Sequence, residues 1–283
     1  MASPIDLGSL NRLLNTIERN KSGLKNSLEK ISSGRRLNRA GEAPAASAIS
    51  AQLRSDIRAL TQSVRNVDSG NNFINTAEGG LASVTDLLAR GRELASQAAN
   101  GTLGDTERET LNREFTQIKA EIDRITQSAE FNGQKLLDGS LAPNSDPRID
   151  IQAGIEAGPG NRISLNVIDA VSTESLGIAQ SDISTVAGAL QAMEDFERAA
   201  DSVIASRGQV GAVANRLVTT ANELGTRIEN LTASESILAD TDLAEEISNL
   251  RKSITQFQIS LRTLAAHNRN NEQSVGRILD TLG

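Results

Sequence analysis

Cysteine, tryptophan and tyrosine are absent from this sequence, and the aromatic residues are reduced to five phenylalanines. Without cysteine there are no disulfides and no thiolate metal sites, so a cross-linked framework is excluded. So little aromatic mass in 283 residues argues against one large globular core and for a helical, elongated molecule. There is a single histidine, His267, beside Asn268, which reads as a helix-surface residue. No H-E-x-x-H, phosphate-loop or G-x-S-x-G motif is present, so the common catalytic constellations have no parts; neither enzyme activity nor a cofactor is expected. No apolar run is long enough for a membrane span or for the core of a secretory leader, which leaves a cytoplasmic protein or one exported by a dedicated route. The net charge of −7 argues against general nucleic-acid binding. It is unevenly placed: residues 1–40 hold eight Lys or Arg against three acids, a net of +5, which leaves −12 for the rest. That basic segment reads as the solvated side of a helix facing acidic neighbours.

What is present in abundance is heptad order. Leu243, Ile247, Leu250, Ile254, Phe257, Leu261, Leu264, Asn268, Asn271, Val275, Ile278 and Leu282 follow one another in alternating steps of four and three, the spacing of a helix that buries a narrow seam against a partner. One helix of this span would be about 60 Å long and needs an equally long partner. The other end of the chain supplies it. Leu10, Leu14, Ile17, Lys21, Leu24, Leu28 and Ile31 keep the same spacing, so the two termini are expected to pair.

Between them the chain folds back in nested order. A first helix from about Pro4 to Ser33 stops at Gly34, and a connector leads to Pro44, suited to restarting a helix. The second helix shows a seven-residue ladder of Ala46, Leu53, Leu60, Val67, Ile74, Leu81, Leu88 and Ala95; Gly70, Gly79 and Gly80 inside it imply close approach, a bend or a break. A third helix is expected to open with a capping box from Thr106 to Glu109 and to stop at Asn132-Gly133. The period then alternates, with Ile149 and Ile151, then Ile163, Leu165 and Val167, which predicts a β-hairpin. Phe196, Val203, Val210, Leu217, Leu224, Leu231 and Leu238 mark a long fourth helix. The acids Asp240, Asp242, Glu245 and Glu246 open the terminal helix, where helix N-termini favour negative charge, and lack the spacing of a calcium loop.

With this order in hand, the sequence resembles bacterial flagellin, the subunit of the flagellar filament. The resemblance rests on Leu28-Glu29-Lys30-Ile31-Ser32-Ser33-Gly34 with Arg36-Leu37-Asn38, on Arg92-Glu93-Leu94-Ala95, on Glu130-Phe131-Asn132-Gly133 with Lys135-Leu136-Leu137, and on Gly211-Ala212-Val213 with Asn215-Arg216-Leu217. It covers residues 1–140 and 185–283 and departs in the middle, where many flagellins carry large outer domains. The resemblance implies a mainly α fold: an elongated long-helix bundle with paired terminal coiled-coil helices and a small β-hairpin region. Residues 1–43 and 241–283 would form an inner domain, 44–137 and 185–240 a rod, and 138–184 its tip. It further implies a helical homopolymer, type III export without a cleaved leader, and an export chaperone on the terminal seam. Cap and hook-associated proteins would be further partners, and a Toll-like flagellin receptor would read Arg90, Leu94 and Glu114. Gly91 stands where a larger aliphatic residue is common in the family. The termini are expected to order on polymerisation. Two other readings remain at this point, a flagellin-related hook–filament junction protein and a binding module with coiled-coil ends.

Overall fold

The computed structural model describes residues 7–39 and 41–282, with side chains for residues 8–39 and 41–273. The chain runs as α1 (Leu7–Ser33), α2 (Pro44–Ala98), α3 (Asp105–Ser128), β1 (Glu130–Phe131), β2 (Gln134–Lys135), β3 (Asp150–Gln152), β4 (Arg162–Ser164), α4 (Val186–Ala239) and α5 (Leu243–Leu282). It divides into two units, one built from the chain's two ends, up to Ser55 and from Asn230, and one from Asp56–Glu229.

In the unit of the two ends, α1 stops because Gly34 takes φ +68°, the left-handed conformation that only glycine adopts freely. The connector that follows is tied to the junction of α4 and α5: the Arg36 amide donates to the Ala239 carbonyl at 2.7 Å, the Arg36 guanidinium to the Leu238 carbonyl at 2.6 Å, and the Thr241 amide to the Gly34 carbonyl at 3.1 Å. Leu238 and Ala239 carry orphan carbonyls of a helix end, so the α4 terminus is satisfied by the turn that ends α1. α5 then starts on Asp242, whose carboxylate accepts from the amides of Ala244 and Glu245 at 2.8 and 3.2 Å. Asp242 thus acts as the helix cap.

In the Asp56–Glu229 unit, Leu60, Val67, Ile74, Leu81, Leu88 and Ala95 of α2 are all at most 1 % exposed, against Phe196, Val203, Val210 and Leu217 of α4. The glycines of α2 mark close approaches within an unbroken helix. A β-carbon at Gly70 would lie 2.9 Å from Ile151, and one at Gly80 would lie 2.8 Å from Leu137. The alternating segments pair as expected, with Ile151 opposite Ile163 in an antiparallel β3–β4 hairpin. Asn132 and Gly133, at φ +52° and +80°, make the two-residue turn between β1 and β2.

The capping box expected at Thr106 and Glu109 does not form. α3 begins two residues earlier, with Gly104 as a cap that offers no side chain. Thr106 falls inside the first turn, where its carbonyl accepts from the Thr110 hydroxyl. The end is secured instead by Arg108, 6 % exposed, whose guanidinium donates to the carbonyls of Ala98, Asn100 and Leu103 at 3.0, 3.3 and 2.9 Å. One buried cation therefore closes the C-terminus of α2 and the loop after it.

The segment leading into α4 is pinned to α3. Lys119 Nζ donates to the carbonyls of Ala179 and Ser181 at 3.0 and 2.7 Å, and Asp123 accepts from the amide and hydroxyl of Thr173, both at 2.8 Å. Asp182 accepts from the Ser184 hydroxyl and amide and from Asn112 Nδ2. The Ser184 hydroxyl above all holds the Asp182 carboxyl below its usual value, with Asn112 and the charge of Lys119 adding to it. A depressed folded pKa contributes stability that is present above the unfolded carboxylate pKa of about 3.9 and is lost as pH falls through the folded value. The protection of the Ser184 amide against exchange, relative to its intrinsic rate at each pH, should therefore fall on acidification, and Asp182→Asn should flatten that dependence. An identical acid profile in the variant would refute the assignment.

Candidate assembly surfaces

α1 and α5 run antiparallel. The Asn20 amide donates to Ser260 Oγ at 2.8 Å, and a β-carbon on Gly23 would sit 3.7 Å from Ser253 Oγ. On α1 the covered positions are Leu10, Leu13, Ile17, Asn20, Leu24, Ser27 and Ile31, all buried or half-buried. On α5 they are Glu246, Leu250, Ser253, Phe257, Ser260, Leu264 and His267. Each helix thus turns the expected spacing toward its partner in a phase shifted by one residue. Leu10, Ile17, Leu24 and Ile31 meet Leu250, Phe257 and Leu264, while the positions between them are largely small or polar and let the backbones approach.

The other half of the expected seam stands beside the pair. Leu14, Leu28, Leu243, Ile247, Ile254 and Leu261 are between 39 % and 51 % exposed. Lys21 is exposed as well, and the side chains of Val275, Ile278 and Leu282 lie outside the described residues. The apolar width of these helices is therefore greater than one partner covers, and the uncovered remainder is a second stripe. His267, expected on the surface, lies half-buried on the inner face of α5, and its Nε2 has no hydrogen-bond partner.

Arg90 and Glu114 are brought together on the surface of the Asp56–Glu229 unit. The guanidinium of Arg90 donates to Glu114 at 2.8 and 3.2 Å and to Glu93 at 3.1 Å. Glu114 first, then Glu93, raise its pKa further above the ordinary arginine value. Leu94 does not join them: it is 1 % exposed, one turn along α2 on the side that packs into the core. Beside it, Gly91 is filled from outside, since a β-carbon there would lie 2.2 Å from Cε1 of Phe196. Phe196 itself stacks on Phe115 with centroids 4.7 Å apart.

A groove of about 860 Å³ opens between α2 and α4, with Leu88, Met193, Phe196 and Ile204 as its floor and the Arg92–Glu197 ion pair at 3.3 Å on its rim. Sequence reasoning missed it, although Ile204, 54 % exposed one position after the core residue Val203, is a readable signal. Among the described residues no three His, Asp or Glu side chains converge as metal ligands, and no helix is long and apolar enough to cross a membrane.

Two family models match the chain: the bacterial flagellin N-terminal helical region over residues 7–142 and the bacterial flagellin C-terminal helical region over residues 193–279. The chain is 37 % identical over 259 residues to the flagellar filament 30.7 kDa core protein of Treponema maltophilum, covering 88 % of this chain and 90 % of that one. It is 35 % identical over 294 residues to the flagellin of Bacillus subtilis, covering 93 % and 95 %. Among solved structures it is similar to Bacillus cereus flagellin, 28 % identical with a TM-score of 0.49 over 60 % of this chain and 94 % of that one.

Proposed function

The chain belongs to the bacterial flagellin family and is a structural subunit of the flagellar filament, and from this premise we propose how it assembles and whom it meets. Residues 1–43 and 241–283 form the inner domain around the filament channel, 44–137 and 185–240 the rod, and 138–184 its tip. The observation that carries this reading is the exposed stripe of Leu14, Leu28, Leu243, Ile247, Ile254 and Leu261. Burial of a leucine-sized side chain contributes roughly 1.5–3 kcal/mol, and neighbouring copies are the surfaces that supply it. The inner faces, through Leu10, Ile17, Leu24, Ile31, Leu250, Phe257 and Leu264, hold the pair, and the outer stripe joins pairs to one another. The subunit acts by assembly, with no catalytic step and no cofactor.

Before assembly the same stripe needs shielding, which is the role of a flagellin export chaperone on α5. The subunit leaves through the flagellar type III apparatus and works outside the cell. There it meets the filament cap at the growing end and the hook-associated proteins at the base. Electron microscopy of filaments sheared from cells, with mass spectrometry of their main protein, tests the reading. This chain should be the main band, and its confinement to short segments next to the hook would replace the reading with the junction-protein alternative.

For the Toll-like flagellin receptor, the exposed Arg90–Glu114 pair is the contact and Leu94 supports it from beneath. Arg90→Ala with Glu114→Ala should leave the monomer folded, since exposed ion pairs contribute about 0.2–1 kcal/mol, yet lower receptor activation by about tenfold or more. Leu94→Ala is the wrong probe, because a core truncation costs about 2–5 kcal/mol and changes the fold as well as the surface. Full activation by the Arg90, Glu114 double variant would remove the pair from the contact.

A further inference from the structure

Because cysteine, tryptophan and tyrosine are absent, the thioethers of the two methionines, Met1 and Met193, are the side chains of this chain that a peroxide oxidises most readily. Met1 lies outside the described residues. Met193 is half-buried on α4 and lines the groove of about 860 Å³ between α2 and α4. A water molecule takes up about 30 Å³ in the liquid, and a peroxide is little larger, so the opening admits a small oxidant to the Met193 side chain.

The surroundings determine what oxidation changes. Leu88, Phe196 and Ile204 line the same groove, and Phe196 follows Met193 by three positions, one turn along the same face of α4. A thioether is a favourable apolar neighbour for such a ring, whereas a sulfoxide carries a strong acceptor oxygen that must find a donor or water. Arg92, the cation on the rim, is already paired with Glu197 at 3.3 Å, so the new oxygen draws water onto an apolar floor. That floor tolerates little disturbance: Phe196 is fully buried, fills the space beside Gly91 and stacks on Phe115 with centroids 4.7 Å apart.

We propose that Met193 is an oxidation site, at which a peroxide turns the groove floor from apolar to polar and loosens the packing of α4 on α2. The sulfur lone pair attacks one peroxide oxygen and an S–O bond forms as the O–O bond breaks. The departing oxygen takes the proton of the transferred one, so one sulfoxide and one water result. Sulfur gives up two electrons and the peroxide accepts them. The site belongs to the single chain and does not depend on how copies assemble.

The experiment treats the full-length monomer with hydrogen peroxide, both folded and unfolded in urea. Mass spectrometry should find one added oxygen on the tryptic peptide of residues 163–198. Its rate of appearance in the folded chain should lie within about tenfold of the rate in urea, because a sulfur reached only through global unfolding would be slowed by about a thousandfold or more. The oxidised chain should melt at least about 2 °C lower than the untreated one. Met193→Leu keeps the volume and apolar character of the site, so it should fold like the parent and show no such shift after peroxide, although it retains Met1. Met193→Gln, a polar side chain of similar length, should show the lowered melting temperature with no oxidant added. Slowing by more than about tenfold in the folded chain, an unmoved melting curve after oxidation, an equal peroxide shift in Met193→Leu, or a Met193→Gln chain as stable as the parent would each overturn the proposal.

Discussion

Replacing Leu261 by aspartate is expected to abolish filament growth while leaving the single chain folded. Leu261 is 42 % exposed on α5, outside the face that meets α1, so a charge there reaches water in the monomer. Exposed substitutions usually change stability by within about 0.5 kcal/mol, and the melting curve should hardly move. On the proposed packing a neighbour covers the same position in the filament, where an unpaired buried carboxylate costs several kcal/mol at every subunit. Since about 1.4 kcal/mol is a factor of ten in an equilibrium constant, seeded growth should stop at any practical concentration. Leu264→Asp provides the contrast: Leu264 lies on the face toward α1, so this variant should loosen the end helices in the monomer too. Limited proteolysis separates the two. Leu261→Asp should be cut in α1 and α5 no faster than the parent monomer, and Leu264→Asp faster than both. Sedimentable filaments from Leu261→Asp would refute a neighbour-covered stripe.

The contrast depends on a detail that spacing alone could not supply. Alternating steps of four and three identify a stripe, but they fit two phases one residue apart, and Leu13-Leu14 offers an aliphatic side chain to each. What selects the phase is the backbone approach that Gly23, Ser27, Ser253 and Ser260 permit, together with the bond from Asn20 to Ser260. Small residues seven apart, at Ser253 and Ser260, carried that information in the sequence, but a reading tuned to apolar residues passes over them. The α2 ladder from Leu60 to Ala95 was legible because one large residue per heptad meets several elements at once and admits no second phase. Leu94 was misplaced for a related reason: a surface motif names residues by position, whereas the wrap of α2 against α3 and α4 decides which of Arg90 and Leu94 faces water. The stop of α2 near Asn100-Gly101 was legible, but the group that satisfies it was not, since it comes from Arg108, ten residues beyond Ala98.

Gly91 shows how far such placement can reverse an expectation based on propensity. As a helix-interior glycine it costs about 1 kcal/mol relative to alanine, so Gly91→Ala looks stabilising from sequence alone. In the structure the space is taken: the new methyl would lie 2.2 Å from Cε1 and 2.7 Å from Cδ1 of Phe196. Phe196 is fully buried and held by Phe115, so the ring cannot swing aside without opening the core. Overpacking typically costs about 1–3 kcal/mol and here exceeds the propensity gain. Gly91→Ala is therefore expected to lower the melting temperature, by roughly 2–4 °C for each kcal/mol lost in a unit of this size. Gly79→Ala, in the same helix with nothing within 4 Å of the added carbon, should raise it. Phe196→Leu would relieve the crowding at the cost of its own cavity, so Gly91→Ala with Phe196→Leu should lose less than the two single changes added together. Equal effects at Gly79 and Gly91, or simple additivity in the double variant, would show that the contact between Gly91 and Phe196 is not what holds this position to glycine.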